Sequence, residues 1–206
     1  MELHRMIIKI TVIMGLLNLF GCTQKTDLNK IYPYVITKDY LNEETQLKTE
    51  LVDTIIENEL YLTIVKDLNG LVENVNSTDL KQLNITRELA KDSAIKNLDN
   101  LFKEQKIKAT LFNGPNDLPF ILFSDHWLSA ASLYWTNLYS FASGNLKADT
   151  LYISIPQRDA MIVFPKCNAK FLNDFKTMIK EKEIDARKLL TWDIFQLDKN
   201  GIKRIE

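Results

Sequence analysis

Thr150-Leu151-Tyr152-Ile153-Ser154-Ile155-Pro156-Gln157-Arg158-Asp159-Ala160-Met161-Ile162-Val163-Phe164 is the stretch on which the fold class turns. Thr150–Ile155 and Ala160–Phe164 are rich in β-branched and aromatic residues, the composition of core strands. Between them, Pro156-Gln157-Arg158-Asp159 opens with a residue that cannot donate to a strand ladder and continues with three polar side chains. The pattern is strand, turn, strand.

Towards the N-terminus, Ser124 offers an N-cap for a helix from Asp125 to about Phe141, with Leu128, Ala131, Trp135 and Leu138 on one face. Ser143-Gly144-Asn145 would end it. Phe120–Phe123 is a short apolar strand, Asn113–Asp117 a turn, and Lys106–Phe112 an alternating strand. Thr86 can cap a helix reaching about Lys103, whose apolar face holds Leu89, Ala90, Ala94, Ile95, Leu98, Leu101 and Phe102. Asp79–Leu83 suggests one helical turn. Glu59–Lys66 reads as a strand, Asp67-Leu68-Asn69-Gly70 as a turn and Leu71–Val75 as the returning strand. In Leu41–Asn58, Leu47, Leu51, Ile55 and Ile56 recur at helical spacing, so a helix is expected there.

Towards the C-terminus, Asn168–Lys182 reads as an amphipathic helix with Phe171, Leu172, Phe175 and Ile179 inward. Its Lys176, Lys180, Glu181, Lys182 and Glu183 suit a solvated face. Trp192–Leu197 and Ile202–Ile205 form a hairpin around Asp198-Lys199-Asn200-Gly201. Neither repeats nor low-complexity tracts interrupt the chain. The expectation is a single α+β domain over residues 31–206, with a mixed or antiparallel sheet packed against three to four amphipathic helices.

The chain has 206 residues, 26 Lys plus Arg, 27 Asp plus Glu, and a net charge of -1. This near-neutral balance gives no electrostatic basis for nucleic-acid binding. Arg5 and Lys9 precede an apolar run from Ile10 to Phe20, too short for a bilayer core that needs about 20 residues and suited to a signal peptide. Leu19-Phe20-Gly21-Cys22 resembles a bacterial lipobox, in which cleavage before Cys22 follows attachment of diacylglycerol to its thiol. That resemblance implies a signal peptide over residues 1–21, lipidation at Cys22 with acyl chains such as palmitate, and a tether over residues 22–30. The mature chain would be one charge more negative, since Arg5, Lys9 and Glu2 leave with the signal. Its localisation would be the bacterial cell envelope, membrane-anchored, on a leaflet that the sequence leaves open.

With Cys22 lipidated, Cys167 is left as a lone thiol, expected half-buried near a helix start, and no internal disulfide can form. His126 is the one histidine of the mature chain. Zinc sites ordinarily need several His or Cys ligands, and EF-hand spacing is absent, so no metal or cofactor is expected. Gly70, Gly114, Gly144 and Gly201 build neither a phosphate loop nor a dinucleotide fingerprint, and there is no Gly-x-Ser-x-Gly elbow.

Two polar elements stand out as site candidates. Arg158 can bind an anion or a partner's carboxylate through its guanidinium fork, or it can pair with Asp159 to fix the turn. Asp125 can act as a base or metal ligand and His126 as a proton shuttle. Alternatively, Asp125 stabilises a helix N-terminus while His126 lies on the surface and Trp127 enters the core. Tyr134, Trp135, Tyr139 and Phe141 invite a ligand-stacking reading, but their spacing places Trp135 with core positions.

Leu89–Leu98, Asp125-His126-Trp127-Leu128-Ser129-Ala130-Ala131 and Ile155-Pro156-Gln157-Arg158-Asp159 resemble, in order and spacing, three stretches of the YtpQ family of uncharacterised bacterial proteins. The likeness covers roughly residues 34–205. It implies a fold, a helix starting at Asp125 and a Pro-x-Arg-Asp turn, but no activity. Three functions remain open: a lipid-anchored binding or interaction module with a protein partner, a hydrolase-type enzyme in which Asp125, His126 and Arg158 converge, and an immunity-type lipoprotein that neutralises a toxin.

Overall fold

The computed structural model describes residues 26–42, 51–57, 59–114, 117–183 and 189–205; the expected signal peptide over residues 1–21 and Cys22 lie outside them. A 3-10 turn at Leu28–Lys30 leads into β1 (Ile31–Thr37), α1 (Lys38–Asn42), β2 (Leu51–Ile56), β3 (Leu60–Asp67) and β4 (Val72–Asn74). Next come α2 (Ser77–Leu83), α3 (Arg87–Lys103), β5 (Lys108–Asn113), β6 (Pro119–Ser124), a 3-10 turn at Ala130–Tyr134 and α4 (Leu138–Leu146). The chain closes with β7 (Leu151–Gln157), β8 (Ala160–Pro165), α5 (Ala169–Glu183), β9 (Ile194–Asp198) and β10 (Gly201–Arg204).

The strands form two antiparallel sheets within one α+β domain. In the smaller, β3 is central: β1 pairs along one side, and β2 and β4 share the other. The larger runs β10-β9-β7-β8-β6-β5. The β7–β8 hairpin is at its centre, as the strand-turn-strand pattern leads one to expect.

Both faces of β7 are buried, which explains why its sequence is largely apolar, broken by the buried Ser154, rather than alternating. Ile153 and Ile155 face one cluster with Val163, Ile121, Phe123 and Phe195, and with Val35, Ile56 and Leu60 from the smaller sheet. That shared cluster joins the sheets. Tyr152 on the opposite face packs with Phe164 and with Phe175 of α5, the two phenyl rings stacked at 4.3 Å. Gly114 lies so close to this group that a Cβ there would stand 2.7 Å from Phe175. The smaller sheet buries Ile31 and Ile64 against Ala90 and Ala94 of α3.

The residue preferences fix most boundaries. Thr86 caps α3 by accepting from Leu89 N–H. Asn76 and Asp79 form a reciprocal capping box on α2. Asn69 and Gly70 both take positive φ in the β3–β4 turn, the requirement of a tight hairpin.

Three expectations change. The helix expected over Leu41–Asn58 is instead α1 followed, after residues outside the description, by strand β2. Leu51-Val52-Asp53-Thr54-Ile55-Ile56 is dominated by β-branched residues, and pairing with β3 overrides the helical spacing.

The helix expected over Asp125–Phe141 is also replaced. Asp125 takes φ +62°, Ser124 remains in β6, and the 3-10 turn ends at an extended Trp135. Asp99 accepts from both the backbone N–H and the hydroxyl of Thr136, holding the break before α4. Ser143-Gly144-Asn145 lies inside α4, which ends at Lys147 in the left-handed region.

Finally, the fold reaches into the expected tether. Thr26 is buried and donates to Asp79 at 2.6 Å, while Asn97 donates to the carbonyls of Leu28 and Ile31.

Candidate functional site

The ends of β6 and β7 build one open cleft of about 480 Å³, lined by Ser124, Asp125, His126, Trp127, Gln157 and Asp159 with Leu122 and Ala160. It forms because β6 lies beside β8 in the sheet, so the residues following β6 meet the β7–β8 turn. A backbone bond from Ala130 N–H to the Arg158 carbonyl, 3.0 Å, ties these segments together.

Asp125 sits on the rim. Its positive φ, which Asp tolerates better than most residues, breaks the strand direction and turns the chain into the cleft wall. Its carboxylate accepts from Lys108 at 3.0 Å, both side chains well exposed. The register Lys108↔Ser124 places that lysine beside the turn. Asp125 is therefore a turn residue and not the first acid of a helix.

His126 is half-buried, with its ring 5.8 Å from that of Trp127 and inclined by 24°. Its Nδ1 accepts from Leu128 N–H at 3.1 Å. That bond requires a bare Nδ1, so the neutral ring carries its proton on Nε2. Burial lowers the pKa of His126, and the Lys106 ammonium lowers it further, against the opposing carboxylates of Asp159 and Asp67. At neutral pH, His126 is thus an Nε2–H donor, suited to a carbonyl or carboxylate oxygen.

Arg158 does not line this cleft. Its guanidinium carbon lies 5.2 Å from the ring centre of Tyr34 and 5.4 Å from that of Tyr40. Trp127 tilts against the same Tyr34 at 6.0 Å and meets Tyr32 edge-on at 5.9 Å. Burial raises the pKa of Tyr34, with the adjacent Arg158 charge acting in the opposite direction. Arg158 consequently spans from the β7–β8 turn of the larger sheet to β1 and α1 on the smaller one.

The structure therefore brings Asp125, His126 and Asp159 to one cleft and directs Arg158 into an aromatic clamp. The arrangement offers a donor, two carboxylates and an amide around an indole face, which is a polar recognition surface. Among the described residues, no group of three His, Cys, Asp or Glu side chains is arranged to hold a metal ion. Cys167 is half-buried and free, and burial raises its thiol pKa, away from the reactive thiolate. Trp135 stacks on Phe102 at 4.1 Å within the core and does not present a ligand platform.

Tyr34 and Tyr40 were not legible as partners of Arg158, because they lie more than a hundred residues away in the chain. No family model, curated protein or solved structure matches this chain.

Proposed function

We propose that the protein is a lipid-anchored binding module of the bacterial envelope, tethered through Cys22 and recognising a polypeptide segment of a partner at the Asp125–His126–Asp159 cleft. The observation carrying the recognition half is the hydrogen bond from Leu128 N–H to His126 Nδ1. With Nδ1 occupied by Leu128 N–H, the ring presents a fixed donor in a cleft that also offers carboxylates and the Gln157 amide. Those groups complement the donors and acceptors of a peptide chain. The clamped position of Arg158 supports binding over a hydrolase in which Asp125, His126 and Arg158 act on one substrate, since catalytic groups work within hydrogen-bond reach. Lipid attachment rests on Leu19-Phe20-Gly21-Cys22.

Kinship with the YtpQ-like proteins is part of this proposal. Two of the three resembling stretches form this cleft together, and the third lies on α3. The toxin-neutralising role is one form the partner could take.

Labelling with a radioactive fatty acid tests the anchor. The wild-type chain incorporates label and Cys22→Ser does not; a labelled Ser variant removes the anchor from the proposal. Partner capture tests the cleft. His126→Ala lowers capture, whereas Asp125→Asn retains it, because the Asp125 carboxylate on the rim is already taken by Lys108 and Asn accepts the same left-handed backbone. Turnover of a substrate that Asp125→Asn abolishes would favour the enzyme instead.

A further inference from the structure

We infer that the β3–β4 hairpin tip, through Leu71 and Val72, is the face that rests in the lipid surface. This inference depends on the proposed Cys22 anchor and adds an orientation to it.

The leash is short and its protein end is fixed. From Cys22 to Thr26 the chain has four residues, a reach of at most about 14 Å. Thr26 is 3% exposed and its hydroxyl is held by the buried Asp79, which also takes the ammonium of Lys66 at 2.7 Å. The anchor therefore cannot swing the domain freely. It selects the end of the molecule where Thr26 emerges.

The hairpin tip lies at that same end. β1 begins there and β3 finishes there, as the pair Ile31↔Lys66 requires. Lys30 donates to the Asn69 side chain at 2.8 Å, binding the N-terminal 3-10 turn to the hairpin turn. Lys66 also reaches Glu73 at 3.6 Å, next to Val72 in β4. Thr26, Asp79, Lys66 and Glu73 thus form a continuous polar path from the leash to the hairpin.

At its tip, Leu71 is 60% exposed and Val72 38% exposed, two adjacent large apolar side chains in water. One is ordinary on a protein surface, but a pair beside a lipid anchor gains by entering the interface. The lipid is the occupant because the short leash from Cys22 brings the membrane to this end. Apolar contact and not charge supplies the attraction, since Asp27 and Asp67 are also present and offset Lys30.

The test uses the full lipidated chain in phospholipid vesicles. In a Cys167→Ser background, Leu71→Cys or Glu57→Cys carries an environment-sensitive fluorophore. Glu57 lies beyond the opposite end of β3, about 25 Å along that strand by its rise per residue. The label at position 71 should shift to the blue and be quenched by lipids bearing a quencher in their acyl chains, and the label at 57 should do neither. Co-flotation with an unquenched label at 71, or with equal quenching at both positions, overturns the hairpin orientation and leaves the anchor intact. Failure to co-float, with no fatty acid incorporated at Cys22, overturns the anchor and this inference together.

Discussion

Asp79 concentrates several interactions in one buried carboxylate. It accepts from Lys66, Thr26 and the Asn76 N–H, and in this way joins β3, the N-terminal segment and α2. Burial alone would raise its pKa, but the hydrogen bonds from Lys66, Thr26 and Asn76 outweigh this and hold it below the usual carboxylate value. Removing one partner of such a group leaves the other charge poorly compensated, at a cost of about 3–5 kcal/mol. Asp79→Ala should therefore lower Tm by roughly 10 °C in a thermal scan, taking about 2–4 °C per kcal/mol for a chain of this size. An unchanged Tm would mean that Lys66 is rescued by Glu73 or by water. Asp125 behaves oppositely. Its pair with Lys108 is exposed and contributes at most about 1 kcal/mol, whereas its backbone is held at φ +62°. Asp125→Gly should leave Tm unchanged or slightly higher, and Asp125→Val should lower the unfolding free energy by at least about 1 kcal/mol, because a β-branched residue resists this backbone region. A helix-initiating acid would give a lower Tm for Gly.

Among the elements, the β7–β8 hairpin acts as the hub, and its turn carries the clamp. Arg158→Met retains the apolar stem but removes the charge between Tyr34 and Tyr40. The expected loss is about 1–2 kcal/mol, read from denaturant unfolding. Arg158→Lys should recover little of it, because an ammonium lacks the flat guanidinium face. If Arg158 instead served a ligand, partner capture would fall with stability unchanged. The hairpin itself was legible because β-branched runs flanking Pro156–Asp159 leave few alternatives, and Thr86 and Gly70 likewise announced a cap and a turn through local chemistry. The Asp125 region was not legible. Ser124 followed by Asp125 and apolar residues at helical spacing satisfies every local rule for a helix start, yet Asp125 turns into the left-handed region and Thr136 is held by Asp99, a partner 37 residues away. β2 failed for a related reason, since its β propensity acts only once β3 is beside it. The cleft followed the same division. Its residues stood out in sequence, but the diversion of Arg158 depended on tyrosines brought from another sheet.

For the whole molecule, stability must come from packing and a few buried polar groups, because the described cysteine, Cys167, is free. Two of those groups respond to acid in the same direction. The folded-state pKa of His126 lies below its ordinary 6.5, so unfolding takes up a proton once the pH falls under that value. Its contribution is complete above pH 6.5 and is lost as the pH falls towards the lower folded value. Asp79, depressed below 3.8, contributes fully above that pH and loses its effect as the pH falls through its own folded value. Unfolding free energy should accordingly decline in two stages on acidification, the first below about pH 6.5 and the second below about pH 3.8, with no matching loss from these groups on the alkaline side. His126→Gln should remove the first stage and preserve the second, since its amide can still accept from Leu128 N–H but does not titrate. Urea titrations between pH 8 and pH 3 would resolve the two stages. A first decline that persists in His126→Gln would assign it to another group, and would leave the neutral Nε2–H donor without its expected link to stability.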